Sequence, residues 1–216
     1  MNKLVIFDFD GTLCNSLPDI VYYANQSLEK HGYATKRESE IRDTVCLSIE
    51  EIFSLLTGED IRSQIVKQTT DYYKKQIKDS KSPRTRLYDG ISELLIELKR
   101  QDYKIAILTN KSEDEMQVIY QRLLSGFGFD AVIGLKDGVV AKPNPTEIYN
   151  LMDKFGVAKQ NTYFIGDGDT DVLAANNAGV NLIAVTYGYR DKEYLQKLGA
   201  TVFADTPKDI QSLILR

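Results

Sequence analysis

Two aspartates near the N-terminus follow directly after a short apolar segment. Residues 4–7 are continuous in Leu, Val, Ile and Phe, which favours a strand buried on both faces. Asp8 and Asp10 stand two positions apart, so a strand that continued through them would direct both side chains to one face. Gly11 then permits a sharp turn. Such a pair of carboxylates lies where open α/β sheets place their ligands, although an ordinary Asp-Gly turn would contain the same residues.

Polar residues also follow a second apolar segment, residues 105–108. Thr109 comes first, and a hydroxyl at a strand end, just before a helix, suits a phosphate oxygen. Asn110 stands beside it as a second candidate for phosphate binding. We interpret the next two residues, Lys111 and Ser112, as ordinary loop and helix cap.

A lysine in a stiff segment is the third candidate. Lys142 precedes Pro143, which favours an extended conformation for the lysine. Asn144 is predicted to cap a helix whose first residue is Pro145. Most lysines are solvated surface charges. A rigidly held lysine can instead neutralise a nucleophilic carboxylate and a phosphoryl group, and both interpretations stay open on this segment alone.

A further acidic segment, residues 166–171, follows the apolar residues 163–165. Its aspartates alternate as in a calcium-binding loop: Asp167, Asp169 and Asp171. Val172 stands where that loop needs glycine, and Ala178 stands where it needs glutamate, which argues against calcium. Helix capping by Asp169 or Thr170 is a second interpretation, and it is compatible with a chemical role for the other aspartates.

The elements that must position these groups change character along the chain. Between residues 16 and 86 every periodic segment is helical, including one that begins with a capping box at Ser48 and ends at Gly58. From residue 87 onwards, short apolar strands alternate with amphipathic helices. That alternation predicts an α/β fold with a mainly parallel sheet, into which a small helical bundle is inserted.

The composition of the 216-residue chain is that of an ordinary globular protein, with 43% hydrophobic and 27% charged residues. A net charge of −4 argues against nucleic acid as a partner, and the lack of a long apolar segment argues against a membrane. Cys14 and Cys46 have no metal-ligand spacing. Without an export signal they are expected to be reduced, so we expect a cytoplasmic protein in which Cys14 is a packed residue.

Together these segments resemble the motifs of the haloacid dehalogenase-like (HAD) phosphohydrolase superfamily. The likeness lies in four places: Asp8-x-Asp10-Gly11-Thr12, Thr109, Lys142-Pro143-x-Pro145 and Gly166-Asp167-x-x-x-Asp171. The resemblance covers nearly the whole chain. It implies a Rossmann-like three-layer α/β/α core of residues 1–15 and 87–216. Residues 16–86 would then be an all-helical C1-type cap that closes over the site and selects the leaving group.

The resemblance also implies a role for each candidate residue. Asp8 would be the nucleophile that forms an aspartyl phosphate, and Asp10 the general acid and base. The phosphoryl oxygens would be held by Gly11, Thr109, Asn110 and Lys142.

A metal site follows from the same resemblance, and it would hold Mg²⁺, which prefers oxygen ligands. Asp8 and Asp167 would bind the ion through their carboxylates and Asp10 through its backbone carbonyl. Asp171 would support either the metal or Lys142.

Within the superfamily, the chain most resembles bacterial phosphoglycolate phosphatases. The segments that carry this likeness are Asp10-Gly11-Thr12-Leu13, Leu17-Pro18-Asp19, Leu87-Tyr88-Asp89-Gly90, Thr109-Asn110-Lys111 and Tyr187-Gly188-Tyr189-Arg190. The chain departs from that branch at Asn15, at Gly168 and in the segment Val45-Cys46-Leu47. We therefore expect a small phosphorylated metabolite as substrate, and a monomer or homodimer.

Several alternatives stay open. Pyrophosphate, a nucleotide or a sugar phosphate would suit the same fold. A phosphotransferase similar to β-phosphoglucomutase would pass the phosphoryl group to a sugar. A non-catalytic binding protein is a third class, which the intact Asp8, Asp10, Lys142 and Asp167 argue against.

Overall fold

A computed structural model describes residues 3–45 and 47–215, so Cys46 lies outside the described residues. Contacts divide the chain into two compact units. Residues 1–15 and 86–216 form one unit, which we call the core unit. Residues 16–85 form the other, which we call the helical unit.

The strands all belong to the core unit. They are β1 (Leu4–Phe7), β2 (Cys14–Asn15), β3 (Arg86–Leu87), β4 (Lys104–Ser112), β5 (Ala131–Leu135), β6 (Thr162–Gly166), β7 (Asn181–Val185) and β8 (Phe203–Ala204). The helices of the helical unit are α1 (Leu17–Lys30), α2 (Glu38–Arg42), α3 (Ile49–Thr57) and α4 (Gln64–Ser80). Those of the core unit are α5 (Ile91–Arg100), α6 (Glu113–Leu123), α7 (Thr146–Phe155), α8 (Asp169–Ala178), α9 (Lys192–Lys197) and α10 (Pro207–Ile214), with 3₁₀ turns at Ser125–Phe127 and Lys159–Asn161.

A parallel sheet of six strands is the centre of the core unit, in the order β5-β4-β1-β6-β7-β8. β1 lies between β4 and β6, and Phe7 is in register with Ile107 on one side and Ile165 on the other. Because parallel strands share one direction, the carboxyl ends of β1, β4 and β6 meet at the same edge. The sheet confirms the predicted α/β class.

Both faces of this sheet are covered, as the continuous apolar strands predict. Val5 and Phe7 pack on one face with apolar residues of α5, α6 and α10. Leu4 and Ile6 pack on the other face with residues of α7 and α8. Since neighbouring strand residues point to opposite faces, β1 contributes to both apolar layers and the unit has three layers.

A small antiparallel sheet, which the sequence patterns did not predict, pairs β2 with β3. Cys14 pairs with Leu87, and Asn15 with Arg86. These strands are the points at which the chain leaves the core unit and returns to it, so their pairing holds both connections together.

The helical unit has its own apolar centre, formed by residues of all four helices. α3 begins at the predicted capping box, where Ser48 accepts a hydrogen bond from the Glu51 N–H, and Gly58 ends the helix in the left-handed region. α4 begins at Gln64, where the Ser63 side chain caps it, and Ile61 is exposed before the helix.

Two predicted helix starts differ from the structure. At α1, Ser16 occupies the N-cap position and its side chain makes no capping hydrogen bond. α7 begins at Thr146 rather than Pro145, because the Asn144 side-chain oxygen Oδ1 accepts from the Thr146 N–H. At α8 neither Asp169 nor Thr170 is the N-cap residue, which is Gly168.

No helix within residues 3–45 and 47–215 is long and apolar enough to cross a bilayer.

Candidate active site

Asp8 stands at the carboxyl edge of the sheet, directly after β1. Its backbone N–H donates to the carbonyl of Ile165 at 2.9 Å, so strand pairing continues one residue beyond β1. The Asp8 side chain is buried and therefore rigidly placed. The sequence predicts the position of this carboxylate from the end of the apolar segment.

Lys142 is buried beside Asp8, although lysine is normally a surface residue. Its Nζ lies 2.7 Å from Asp8 Oδ1 and 2.6 Å from Asp171 Oδ1. Burial acts to lower the pKa of Lys142, but the charges of these two aspartates outweigh it and the pKa is raised. The lysine is therefore held as a cation between two carboxylates.

Asp171 is bound through both of its oxygens. Oδ1 accepts from Lys142, and Oδ2 accepts from the backbone N–H groups of Asp167 and Gly168 at 3.1 Å and 2.9 Å. Asp171, in the first turn of α8, thus supplies the hydrogen bonds that the sequence analysis expected from Asp169 or Thr170. Its arrangement suits a residue that orients Lys142 and the start of the helix.

Asp167 is the second wholly buried carboxylate at this edge. It accepts from the Thr12 hydroxyl and from the Tyr189 N–H, both at 2.8 Å. Gly11 lies against it in the left-handed region, at φ +80°, and a Cβ there would overlap the Asp167 carboxylate. The turn after Asp10 therefore needs glycine for its conformation and for space.

The carboxylates of Asp8, Asp167 and Asp171 form a group suited to a metal ion, each offering one oxygen within 4.8 Å of the others. Burial, then the charge of Asp171, raises the pKa of Asp8 to about 7 despite Lys142. Burial, then the charges of Asp8 and Asp171, raise the pKa of Asp167. The three carboxylates thus have less positive charge around them than they need, even with Lys142. Their all-oxygen donor set fits a hard divalent cation. Asp171 accepts three hydrogen bonds, one of them from the Lys142 ammonium, whereas Asp167 accepts two from uncharged groups, so Asp167 is the better placed ligand of these two.

Thr109 and Asn110 follow the apolar part of β4, residues 105–108. The Thr109 side chain is buried at the sheet edge, and its hydroxyl accepts from the Lys111 N–H at 3.2 Å. Asn110 makes two hydrogen bonds of 2.9 Å with the backbone of Lys142, donating to its carbonyl and accepting from its N–H. Asn110 therefore fixes the segment that carries Lys142.

Lys111 is a functional candidate although it was predicted to be ordinary loop; the loop prediction is wrong, whereas the predicted helix cap at Ser112 is confirmed. β4 continues to Ser112, with a register shift after Leu108, and carries Lys111 to the site edge. Its Nζ lies 3.1 Å from Asp10 Oδ2 and 3.8 Å from Glu115 Oε2. The predicted strand ended at Leu108, so the signal that would have found Lys111 is the true length of the strand.

Two tyrosines complete the surroundings of Asp167. The Tyr187 hydroxyl donates to the Thr12 carbonyl at 3.1 Å, and the Tyr187 ring lies 4.8 Å from that of Tyr88. Burial raises the pKa of both phenols, so they remain neutral. The sequence analysis assigned them no role.

Cys14 is fully buried in the core unit, as expected of a packed residue. Burial raises the pKa of its thiol, which keeps it protonated and poorly reactive.

Comparisons with known proteins agree with this geometry. A family model described as haloacid dehalogenase-like hydrolase matches residues 5–185. The phosphoglycolate phosphatase of Vibrio parahaemolyticus is 30% identical, over 98% of this chain and 96% of that protein. That of Mannheimia succiniciproducens is 32% identical over 87% of each chain.

Solved structures are similar over nearly the full length. A predicted phosphoglycolate phosphatase from Haemophilus somnus superposes with a TM-score of 0.88 at 26% identity, covering 98% of this chain and 97% of that one. A predicted phosphatase from Clostridium acetobutylicum superposes with a TM-score of 0.84 at 26% identity, covering 100% and 99%.

Proposed function

The chain belongs to the haloacid dehalogenase-like hydrolase family and is a phosphatase, and from this premise we propose that it hydrolyses a small phosphomonoester through an aspartyl phosphate on Asp8. The substrate class we favour is that of the phosphoglycolate phosphatases to which the chain is similar along its length. The observation that carries the proposal is the buried Asp8 carboxylate, held at 2.7 Å from Lys142.

In this proposal Asp8 attacks the phosphorus and the bond to the leaving oxygen breaks. Lys142 stabilises the charge on Asp8 before attack and on the phosphoryl oxygens during transfer. Thr109 and the N–H groups near Gly11 would hold the same oxygens. Asn110 and Asp171 support the mechanism by fixing the backbone and the ammonium group of Lys142.

Asp10 would act as general acid and then as general base. Its proton passes to the leaving oxygen, and in the second step it accepts a proton from the water that attacks the aspartyl phosphate. The Asp10 carboxylate is suited to a separate task from Asp8 because it is paired with a different lysine.

A divalent metal is typical of the family, and we propose Mg²⁺, held by Asp8, Asp167 and the Asp10 carbonyl with Asp171 in support. When bound, the ion would supply positive charge that lets clustered carboxylates and a phosphate dianion approach one another. The raised pKa values of Asp8 and Asp167 support this assignment, since they reflect a shortage of positive charge.

We also propose that the helical unit is a cap that determines the substrate. It has its own apolar centre, and every proposed catalytic residue lies in the core unit. Replacing residues 20–80 by a short linker should slow hydrolysis of the true substrate more than that of an activated aryl phosphate. Equal losses in a folded variant would exclude this role.

Trapping of the covalent intermediate tests the central step. Enzyme turning over phosphoglycolate with Mg²⁺ is quenched and treated with borohydride, which reduces an acyl phosphate to an alcohol. Peptide mass should locate the reduction at Asp8, and the Asp8→Asn variant, treated identically, should show none. Reduction at another residue would contradict the assignment of the nucleophile.

A substrate panel tests the substrate class. Initial rates of phosphate release would be compared for phosphoglycolate, pyrophosphate, nucleotides and sugar phosphates. We expect phosphoglycolate to have the highest kcat/KM. A preference for another ester would redirect the substrate within the same mechanism, and transfer to a sugar without phosphate release would identify a phosphotransferase. A wild-type enzyme inactive on the whole panel would favour a binding protein.

A further inference from the structure

We infer that Lys111 is a positioning residue for Asp10, and that the site uses one buried lysine for the nucleophile and another for the acid and base. This inference rests on the proposed function, because it assigns Lys111 a task in that reaction. Lys111 Nζ contacts Asp10 Oδ2 at 3.1 Å, whereas Lys142 Nζ contacts Asp8 Oδ1 at 2.7 Å. Each aspartate therefore has its own cation.

Burial distinguishes the Lys111 pair from a surface ion pair. The side chains of Lys111, Asp10 and Glu115 are 9%, 16% and 13% exposed. Buried ion pairs contribute little net stability, because desolvation offsets the attraction between the charges. Apolar residues in place of the whole cluster of Lys111, Asp10 and Glu115 would serve the fold about as well, so a task beyond packing accounts better for these charges.

The backbone around Asp10 explains why its side chain needs an anchor. β1 ends at Phe7, and Asp10 lies in a tight turn in which the Gly11 N–H donates to the Cys14 carbonyl at 2.8 Å. The Lys111 ammonium comes from β4, which is hydrogen-bonded to β1. Lys111 thus ties a turn side chain to the rigid sheet and limits its rotation.

Direct binding of a substrate anion suits Lys111 less well. Its ammonium already lies between two carboxylates, with Glu115 Oε2 at 3.8 Å on the side of α6. These three charges sum to −1 when Asp10 is ionised and to 0 when it carries the proton it donates, so neither state offers a net positive charge to an additional anion. Burial acts to lower the pKa of Lys111, but Asp10 and Glu115 outweigh it and the pKa is raised, so the group remains a cation.

The chemical consequence concerns the leaving group. In phosphoryl transfer to Asp8, the Asp10 proton moves to the ester oxygen as its bond to phosphorus breaks, and Lys111 gives up no proton. A misplaced Asp10 would slow departure of an alkoxide, which needs that proton. It would hardly affect p-nitrophenolate, which leaves without one.

The test compares kcat/KM for phosphoglycolate and p-nitrophenyl phosphate in wild type, Lys111→Met and Lys111→Arg. Because kcat/KM covers only the steps up to the first phosphoryl transfer, the later basic role of Asp10 does not enter. Lys111→Met should lose about 10²-fold on the alkyl ester, as for loss of general acid catalysis, and less than tenfold on the aryl ester. Lys111→Arg keeps the charge and should recover most of the loss.

Two further variants make the result decisive. Lys136→Met removes an exposed lysine that pairs with Glu113 of α6, the helix that also carries Glu115. It should match wild type on both esters. In an Asp10→Asn background, Lys111→Met should cause no further selective loss. If Lys111→Met does not fold, Lys111→Gln takes its place, because it removes the charge but keeps a polar side chain, and it should show the same alkyl-selective loss.

Equal losses on the two esters would overturn the inference, as would a loss confined to KM, which would indicate substrate contact. Wild-type rates in Lys111→Met would also overturn it. Failure of the proposed function is distinguishable, because wild type would then hydrolyse neither ester; if the panel identifies another alkyl phosphate as substrate, that ester replaces phosphoglycolate in the comparison. A wild type that is active and traps phosphate on Asp8 leaves Lys111 as the only point in question.

Discussion

Buried carboxylates occur in both units, but their surroundings differ. In the helical unit, Asp19 is 1% exposed and its Oδ2 accepts from the N–H groups of Arg84 and Thr85 and from the Thr85 hydroxyl, at 2.7–2.9 Å. The Arg84 guanidinium lies 3.5 Å from Oδ1 and stacks on Tyr22. This one carboxylate thus has three donors and a nearby cation.

At the carboxyl edge of the core unit three buried carboxylates lie together, and the Lys142 ammonium group contacts two of them, Asp8 and Asp171. Their pKa values reflect this arrangement, since those of Asp8 and Asp167 are raised. The difference teaches how to separate a structural carboxylate from a chemical one. The structural group has three donors on Oδ2 and a guanidinium 3.5 Å from Oδ1, whereas the chemical groups keep a deficit of positive charge for a metal ion and substrate.

The nucleophile should give the largest effect. Asp8→Asn should lower turnover on the order of 10⁴-fold or more, because no covalent step remains. Its stability at pH 8 should equal or exceed that of wild type, since the amide removes a carboxylate that is unfavourably charged in the fold. Initial rates and thermal unfolding measure both. Residual turnover near the wild-type rate would remove Asp8 from the nucleophile's role.

Lys142→Met should come next, with kcat reduced about 10²–10³-fold because the charge that stabilises the transferring phosphoryl group is lost. Without metal it should also destabilise the fold by about 3–5 kcal/mol at pH 8, since carboxylates are left without their cation. The exposed Lys136→Met is the matched control and should change stability by about 0–1 kcal/mol. Equal stabilities of the two variants would undo the contrast between the regions.

Asp19→Ala should show the reverse pattern. Three donors lose their acceptor, so the free energy of unfolding should fall by about 2–3 kcal/mol while kcat of the folded protein changes little. Denaturant unfolding and initial rates at 25 °C provide the measurements. A large loss of kcat with unchanged stability would make Asp19 a chemical group and end the distinction.

The smallest expected effect is the pH dependence of the stabilisation by Mg²⁺. The pKa of Asp8 is about 7 in the fold against 3.8 ordinarily, so the contribution of this group to metal-free stability is greatest below pH 4 and falls as pH rises through 7. A metal must displace that proton, so Mg²⁺ should stabilise more at pH 8 than at pH 5. At ten times its dissociation constant, the gain is about 1.4 kcal/mol, or about 3–6 °C in Tm.

Thermal unfolding with Mg²⁺ or chelator measures this difference, and Asp8→Asn is the control that should lose most of it. Chelator should also abolish turnover, and Mg²⁺ should restore it where Ca²⁺ does not, because Ca²⁺ takes more ligands at longer distances. A stabilisation by Mg²⁺ that is equal at both pH values would contradict binding at Asp8.

Features that depend on neighbouring residues were predicted well. The capping box at Ser48 and the stop at Gly58 are local hydrogen-bond and φ requirements, so they are visible in a few residues. The position of Pro145 was wrong by one, because the Asn144 side chain bonds to Thr146 and delays the helix. Such details depend on side-chain rotamers, which a pattern does not specify.

Features that depend on distant residues were missed. Asp19 gave no sign of its burial, since its partners lie 65 and 66 positions away. Lys111 looked like a loop residue because the pairing of β4 with β5 extends the strand beyond its apolar part. Asn110 was predicted to bind phosphate, while its hydrogen bonds to Lys142 depend on how two loops meet.

The sequence by itself determined the α/β class, the family and the groups available for chemistry. Those follow from apolar periodicity and from aspartates placed at strand ends, which are properties of short segments. Only the tertiary structure decided which lysine serves which aspartate. Lys142 reaches Asp8 across 134 positions, and Lys111 reaches Asp10 from a neighbouring strand, because parallel strands bring separate segments to one edge.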